Sequence, residues 1–284
     1  MSSWPEIPEA QAEGETLALY QEIRAVTETP LVNLVFRHLA TIPIGLLWVW
    51  TMLRPLYESR AAATFGAAIV HRTPFPQLPP MPVEFFSAAG LSPDDLKDIA
   101  GIIDSYIRGN AMNLLALSAM RRFMDGTQPA ALSVFSPISA RPTDLRAGDR
   151  TIRPILSLDV LDGQTRALIT RLNKIGESTE PDSVNPSLYR HLAYWPSFLS
   201  LAGTYLLLPD WSGSLQTATK AVRDSAEVVA LEICGSLRSP QECAPEVADL
   251  SRIRSAVEHF SQITIARLLP ICVLLRRALP QVQG

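Results

Sequence analysis

Phe36-Arg37-His38-Leu39-Ala40-Thr41-Ile42-Pro43 returns half a chain later as Tyr189-Arg190-His191-Leu192-Ala193-Tyr194-Trp195-Pro196. An aromatic residue, then Arg-His-Leu-Ala, then proline at the same step is too particular a pattern to arise twice by chance. Outward from the motif the correspondence continues. Gly14-Glu15-Thr16-Leu17-Ala18-Leu19 matches Gly163-Gln164-Thr165-Arg166-Ala167-Leu168, and Val32-Asn33 matches Val184-Asn185. Leu53-Arg54-Pro55 matches Leu207-Leu208-Pro209, and Leu96, Ile99 and Tyr106 fall against Leu250, Ile253 and Phe260. Two copies are too few for a solenoid, which needs stacked neighbours and caps. The expectation is an intramolecular pseudo-dimer, two copies packed about a local two-fold axis as a C2 homodimer would be.

Each copy reads as helical. Thr16 to Ala25 and Thr165 to Ile175 carry apolar residues at helical spacing. A short helix bearing Arg-His-Leu-Ala follows. Pro43 and Pro196 then sit where a longer apolar helix would begin, since proline in the first turn sacrifices no helical hydrogen bond. Polar helices are expected over Glu58 to Val70 and Gln216 to Ile233, and loops over the proline-rich Thr73 to Pro82 and over Gly235 to Ala248. Two helices should close each copy, the first of them starting at Ser92-Pro93-Asp94-Asp95, with its cap, proline and first-turn acids. The fold class is all-α, with repeat 1 over 14–125, a linker over 126–156 marked by Pro129, Pro137, Pro142 and Pro154, and repeat 2 over 157–284.

Composition narrows the function classes. With 284 residues, 47% of them hydrophobic, the chain can bury a large core. A net charge of −3 leaves no basic footprint for nucleic acid. Cys234, Cys243 and Cys272 show neither metal-ligand spacing nor an even disulfide set, which fits a reducing, cytoplasmic setting. The N-terminus lacks the charged and apolar regions of a secretion signal. The apolar runs Leu39 to Leu53 and Leu192 to Leu208 are interrupted by Pro43 and Pro196 and fall short of the ~18–20 residues of a membrane span. They read as core helices. A membrane-associated helical protein has only the apolar content in its favour.

His38 and His191 hold equivalent positions, but without an H-E-x-x-H spacing or repeated carboxylates they read as scaffold, and neither metal nor cofactor is expected. No G-x-S-x-G, P-loop or G-x-G-x-x-G is present. More telling are polar residues inside apolar helices, at positions where the copies differ. Asn110 and Asn113 share one helical face, and Thr264 and Arg267 occupy the counterpart positions. If these helices line the seam between the copies, the four converge on one polar spot. A buried guanidinium needs an anion or several acceptors. A carboxylate ligand held bidentately would supply them, and a protein acid or a snorkelling side chain is the alternative.

On these residues the chain resembles the group I α-haloacid dehalogenase family, also called the halocarboxylic acid dehydrogenase family. The resemblance covers most of the chain. It rests on Leu19-Tyr20-Gln21-Glu22-Ile23-Arg24, on Pro30 to Pro43 with Leu39-Ala40-Thr41, on Gly109-Asn110, and on Leu192-Ala193 with Trp195-Pro196. It implies an all-α pseudo-dimer that hydrolyses a carbon–halogen bond α to a carboxylate. An aspartate activates a water that attacks and inverts the α-carbon, with no covalent ester. That chemistry requires a base within one hydrogen bond of the water and a small apolar cavity that holds the acid in line. By the resemblance, Asn110 keeps a pocket asparagine and Ser187 the serine that precedes the catalytic aspartate. Asn113 falls where the family has a tyrosine, Leu31 and Leu34 where it has aromatic pocket walls, and Phe260 where it has another tyrosine. Arg267 replaces an apolar wall. Leu188 falls on the aspartate itself, and leucine accepts no proton; Asp182 and Asn185 are the remaining candidates for the catalytic role. The expected function is binding or hydrolysis of a small 2-substituted carboxylic acid between the repeats, with Thr264 among the lining residues. The alternative is a small-carboxylate binding protein that does not dehalogenate. A homodimer is compatible with either.

Overall fold

A computed structural model describes residues 4–77, 79–127, 152–176, 184–207 and 211–280, and among them every regular element is helical. The first half holds α1 (Gly14–Thr27), α2 (Leu34–Leu39), α3 (Gly45–Glu58), α4 (Ala61–Arg72), α5 (Val83–Ala88) and α6 (Pro93–Met124). The second holds α7 (Gly163–Leu172), α8 (Ser187–Leu192), α9 (Pro196–Leu206), α10 (Trp211–Ile233), α11 (Val247–His259) and α12 (Ile265–Ala278). The fold is all-α, as the sequence patterns require. Most of the expected linker and Asp182 lie outside the described residues.

Local sequence explains most boundaries. Ser92 accepts a hydrogen bond from the Asp95 amide while the Asp95 side chain returns one to the Ser92 amide, a reciprocal capping box that starts α6 with Pro93 in its first turn. Asp162 caps α7 through the amides of Gln164 and Thr165. Pro196 opens α9 as expected. Pro43 does not open α3: Ile44 takes a left-handed conformation (φ 57°) and the helix starts at Gly45. Glu58 ends α3 instead of starting α4, and α10 begins five residues before Gln216.

A larger difference concerns the end of each half. Instead of two helices, α6 is one continuous helix of 32 residues, because nothing in it breaks the hydrogen-bond ladder. In the second half α11 passes through a π-helical turn, Phe260–Thr264, directly into α12. The stretch Val247–Ala278 is long and apolar enough to cross a membrane, yet 78% of its most apolar window is buried inside the protein, as befits a core helix. Helix α6 is the hub, packing against α4, α10, α11 and α12. Gly66 lets α4 lie against it, since a Cβ there would stand 3.0 Å from the backbone carbon of Ala111. Behind these contacts runs one continuous core that includes Trp50, Phe198, Leu114, Leu115 and Leu269.

Candidate functional site

The short helices α2 and α8 bring the repeated motif together. Asn33 caps α2 by accepting from the Val35 amide, which fixes where the next turn points. From that turn the Arg37 guanidinium, 3% exposed, reaches the Glu6 carboxylate (Nε to Oε2, 3.0 Å) and donates to Ser187 Oγ at 2.5 Å. Arg190, from the matching turn of α8, meets the other Glu6 oxygen at 2.8 Å and Ser187 Oγ at 3.4 Å. Two arginines, one from each half, thus hold one carboxylate and one hydroxyl.

Glu6 arrives on an extended strap that precedes α1. The Ile7 amide donates to the Arg37 carbonyl (3.0 Å), and the Tyr20 hydroxyl donates to the Ile7 carbonyl (2.8 Å). The His38 ring nitrogen Nδ1 lies 2.7 Å from the Pro5 carbonyl, and the Trp4 ring stacks on His259 and meets His38 and Phe260 edge-on. His38 is thus tied to the strap, and His191 is fully buried. Burial, reinforced by Arg37, pushes His191 down to about 4, so it is a neutral ring packed against Tyr106 at neutral pH. Burial also lowers His38.

One turn after Tyr106 on α6, Asn110 accepts from Asn33 Nδ2 (3.0 Å), and its own amide nitrogen lies 3.9 Å from Cys272 Sγ on α12. Burial pushes the Cys272 thiol up to about 12, which leaves it protonated and inert as a nucleophile. Burial likewise raises the Tyr106 and Tyr189 hydroxyls, opposed by Arg37 and Arg190 at Tyr106 and by Arg267 at Tyr189. Asn33, Asn110 and Cys272 thus form one polar chain between α2, α6 and α12, and Tyr106, one turn away, packs against His191 of α8.

The remaining sequence-derived candidates divide. Asn113 accepts a 2.6 Å hydrogen bond from Tyr57 and, with Leu31, Asn33 and Phe36, lines a narrow pocket of about 10 Å³, room for a single water. Arg267 is engaged elsewhere: it donates to the carbonyls of Asn173 and Ile175, where α7 ends. Cations suit that end of a helix, whose last carbonyls lack partners. Asn173 in turn donates to Asn185 at 3.5 Å, so Arg267 and Asn185 form a group around the α7 terminus while Asn113 belongs with Tyr57. Thr264 and Phe260 bound the π turn, both buried. Leu34 is half-buried beside α2. Leu188 is fully buried, next to Ser187 in the first turn of α8.

Sequence reasoning passed over Glu6, Arg37, Arg190, Asn33 and Tyr57. The arginine repeats with the motif, but the pairing of Glu6 with both copies has no periodic signature. Among the described residues no group of three His, Cys, Asp or Glu side chains is arranged to hold a metal.

An all-α chain whose polar residues gather in a buried seam between α2, α6, α8 and α12 is the class of protein these features define. No family model matches the chain. Its sequence is 22% identical over 212 residues to a configuration-inverting 2-haloacid dehalogenase from Alcaligenes xylosoxydans xylosoxydans, spanning 72% of this chain and 69% of that protein. Among solved structures it is similar to a D-2-haloacid dehalogenase mutant in complex with D-2-CPA (TM-score 0.76, 16% identity, 98% of this chain and 97% of that one). It is also similar to a D-2-haloacid dehalogenase with L-LA (TM-score 0.75, 16% identity, the same coverage). The chain thus has the all-helical fold of the D-2-haloacid dehalogenases. Its sequence resemblance to 2-haloacid dehalogenases, read first from short motifs, holds at a distance.

Proposed function

We propose that this chain is an α-haloacid dehalogenase-like protein that receives a small 2-substituted carboxylic acid in the seam between two helical repeats. What supports the reading is the burial of Asn110 and Ser187, the two residues that the family resemblance keeps at pocket positions, each hydrogen-bonded to a polar side chain that α2 or its cap carries, Asn33 and Arg37. The order of elements supports the repeat: α1 to α4 lead, after the short α5 that has no α-helical counterpart among the described residues, to the long α6, and α7 to α10 lead to the continuous run of α11, the π turn and α12. On this reading repeat 1 spans 14–125 and repeat 2 spans 157–284, packed as a pseudo-dimer. Cys234, Cys243 and Cys272, all free thiols, suit a cytoplasmic protein.

Attack by water needs a proton acceptor, and Leu188 offers none. Glu6 is the carboxylate beside Ser187, but guanidiniums engage both of its oxygens. Asn110 and Asn33 can orient a water without deprotonating it. Leu188 therefore favours a second reading on the same site, in which the carboxylic acid is bound and the carbon–halogen bond is left intact.

Halide release from 2-chloropropionate separates the two. Release by the parent protein, kept in a Ser200→Ala control on the exposed face of α9 and lost in Asn110→Ala, supports hydrolysis with a base other than residue 188. No release, with a saturable rise in Tm on adding 2-chloropropionate, supports binding alone. Neither release nor a shift in Tm would sink the proposal.

A further inference from the structure

We propose that Arg37 and Arg190, with the Ser187 hydroxyl, form a carboxylate-binding subsite that the protein's own Glu6 fills, so that a small monocarboxylate and the N-terminal strap compete for it. This rests on the reading that the seam takes a small carboxylic acid, and it names the groups that receive the carboxylate.

The geometry is that of a built anion site. One guanidinium comes from each half of the chain, from equivalent positions of the repeated motif, and the two meet a single carboxylate from different sides at 3.0 and 2.8 Å. Arg37 is 3% exposed, Arg190 12% and Glu6 19%, so water contributes little to neutralising the pair. Arg190 donates a charge-assisted hydrogen bond to Glu6, Arg37 forms an ion pair with its other oxygen, and Ser187 Oγ accepts from both arginines beside the carboxylate. Two cations against one anion leave an excess positive charge in a nearly dry site, which favours a carboxylate in place whatever molecule carries it.

The strap that supplies Glu6 belongs to no helix. Besides Glu6 itself, it is held by the Ile7 amide and carbonyl, the Pro5 carbonyl at His38, and the Trp4 ring against His38, His259 and Phe260. Phe260 is a pocket residue by the family resemblance, so the segment that delivers the internal carboxylate also covers the side of the seam where the body of a small acid would lie. A ligand that binds only when the strap is displaced has its apparent affinity reduced by the fraction of molecules in which the strap is open. Removing Glu6 should lift that penalty.

The test uses the full chain and propionate, a carboxylate with no leaving group, with propionamide as the neutral isostere. Calorimetric titration should give Glu6→Ala at least a tenfold tighter Kd for propionate than the parent has, with no gain for propionamide. Glu6→Ala/Arg190→Gln should lose the gain. Glu6→Gln keeps the side-chain volume, removes the charge, and should behave as Glu6→Ala does, which covers the case in which the alanine variant does not fold. In the parent protein, saturating propionate should raise deuterium uptake at residues 4–12. Equal propionate affinity in parent and Glu6 variants would overturn the subsite. A gain in Glu6→Ala without strap opening in the parent would overturn the competition, because propionate would then bind without displacing the strap. If 2-chloropropionate still stabilises Arg190→Gln as it does the parent, this subsite is wrong while the seam reading stands; loss of all carboxylate binding in the parent removes both.

Discussion

At the scale of single residues, polarity inside apolar helices was readable. Asn110, Asn113 and Arg267 stand out among leucines and alanines, and all three are buried and hydrogen-bonded. Their partners were not readable, because helical spacing says which face a residue occupies and nothing about which loop carbonyl or distant hydroxyl meets it. Tyr57 gives one prediction. Tyr57→Phe leaves the Asn113 carbonyl oxygen, 3% exposed as a residue, without the donor 2.6 Å away. An orphaned buried acceptor costs about 1–3 kcal/mol, to be read as a lower urea midpoint with an unchanged m-value. His191 gives another. Its pKa is held down to about 4 by burial, so below about pH 6.5 the unfolded chain takes up a proton that the folded chain refuses. The stabilisation is fully present above pH 6.5 and is lost as pH falls towards 4, at most about 1.4 kcal/mol per pH unit for this one ring. Tm should therefore decline over that window, and His191→Gln should flatten the decline. A profile identical in the two proteins would show that His191 titrates normally.

Elements were legible where local chemistry decides them and obscure where packing does. Ser92 and Asp95 announced the start of α6, and Pro196 that of α9, because caps and first-turn prolines act within a few residues. Pro43 carried the same local signal, yet the left-handed turn at Ile44 moves the helix start to Gly45. The fusion of the closing helices was hidden for a related reason. Gly101, Gly109 and Pro270 look like breaks in isolation, but α6 continues through both glycines while packing on α4, α10, α11 and α12, and Pro270 is carried inside α12. Gly66 tests that packing directly. A Cβ there would lie 3.0–3.2 Å from the α6 backbone at Ala111 and Met112, and backbone cannot turn aside as a flexible side chain can. Gly66→Ala should cost about 1–3 kcal/mol by forcing α4 off α6, despite the better helix propensity of alanine. A stabilised Gly66→Ala would mean that the two helices are not in close contact.

At the scale of the whole molecule, the two Arg-His-Leu-Ala segments meet across the two halves of the chain. The histidines of these segments are buried, while their arginines converge on Glu6 and Ser187 and so join the two halves. The other tie is hydrophobic. Helix α6 packs on α10, α11 and α12, and α12 buries nearly its whole length, so either half by itself would expose the apolar face of a core helix. Stability should accordingly be a property of the pair. Urea unfolding followed by tryptophan fluorescence and by helical circular dichroism should give coincident single transitions, because Trp48 and Trp50 in the first half and Trp195 in the second report on one cooperative unit. Expressed separately, residues 1–127 and 152–284 should each be aggregated or molten, whereas co-expression should yield a complex that co-purifies with a cooperative melt. Arg37→Gln in the first fragment should weaken that complex, and so should Arg190→Gln in the second, since either leaves part of the Glu6 carboxylate unpaired in the seam. Two fragments that each fold cooperatively alone, or a parent that unfolds in two steps, would mean that the halves are independent domains and that the seam is a surface between them instead of a shared core.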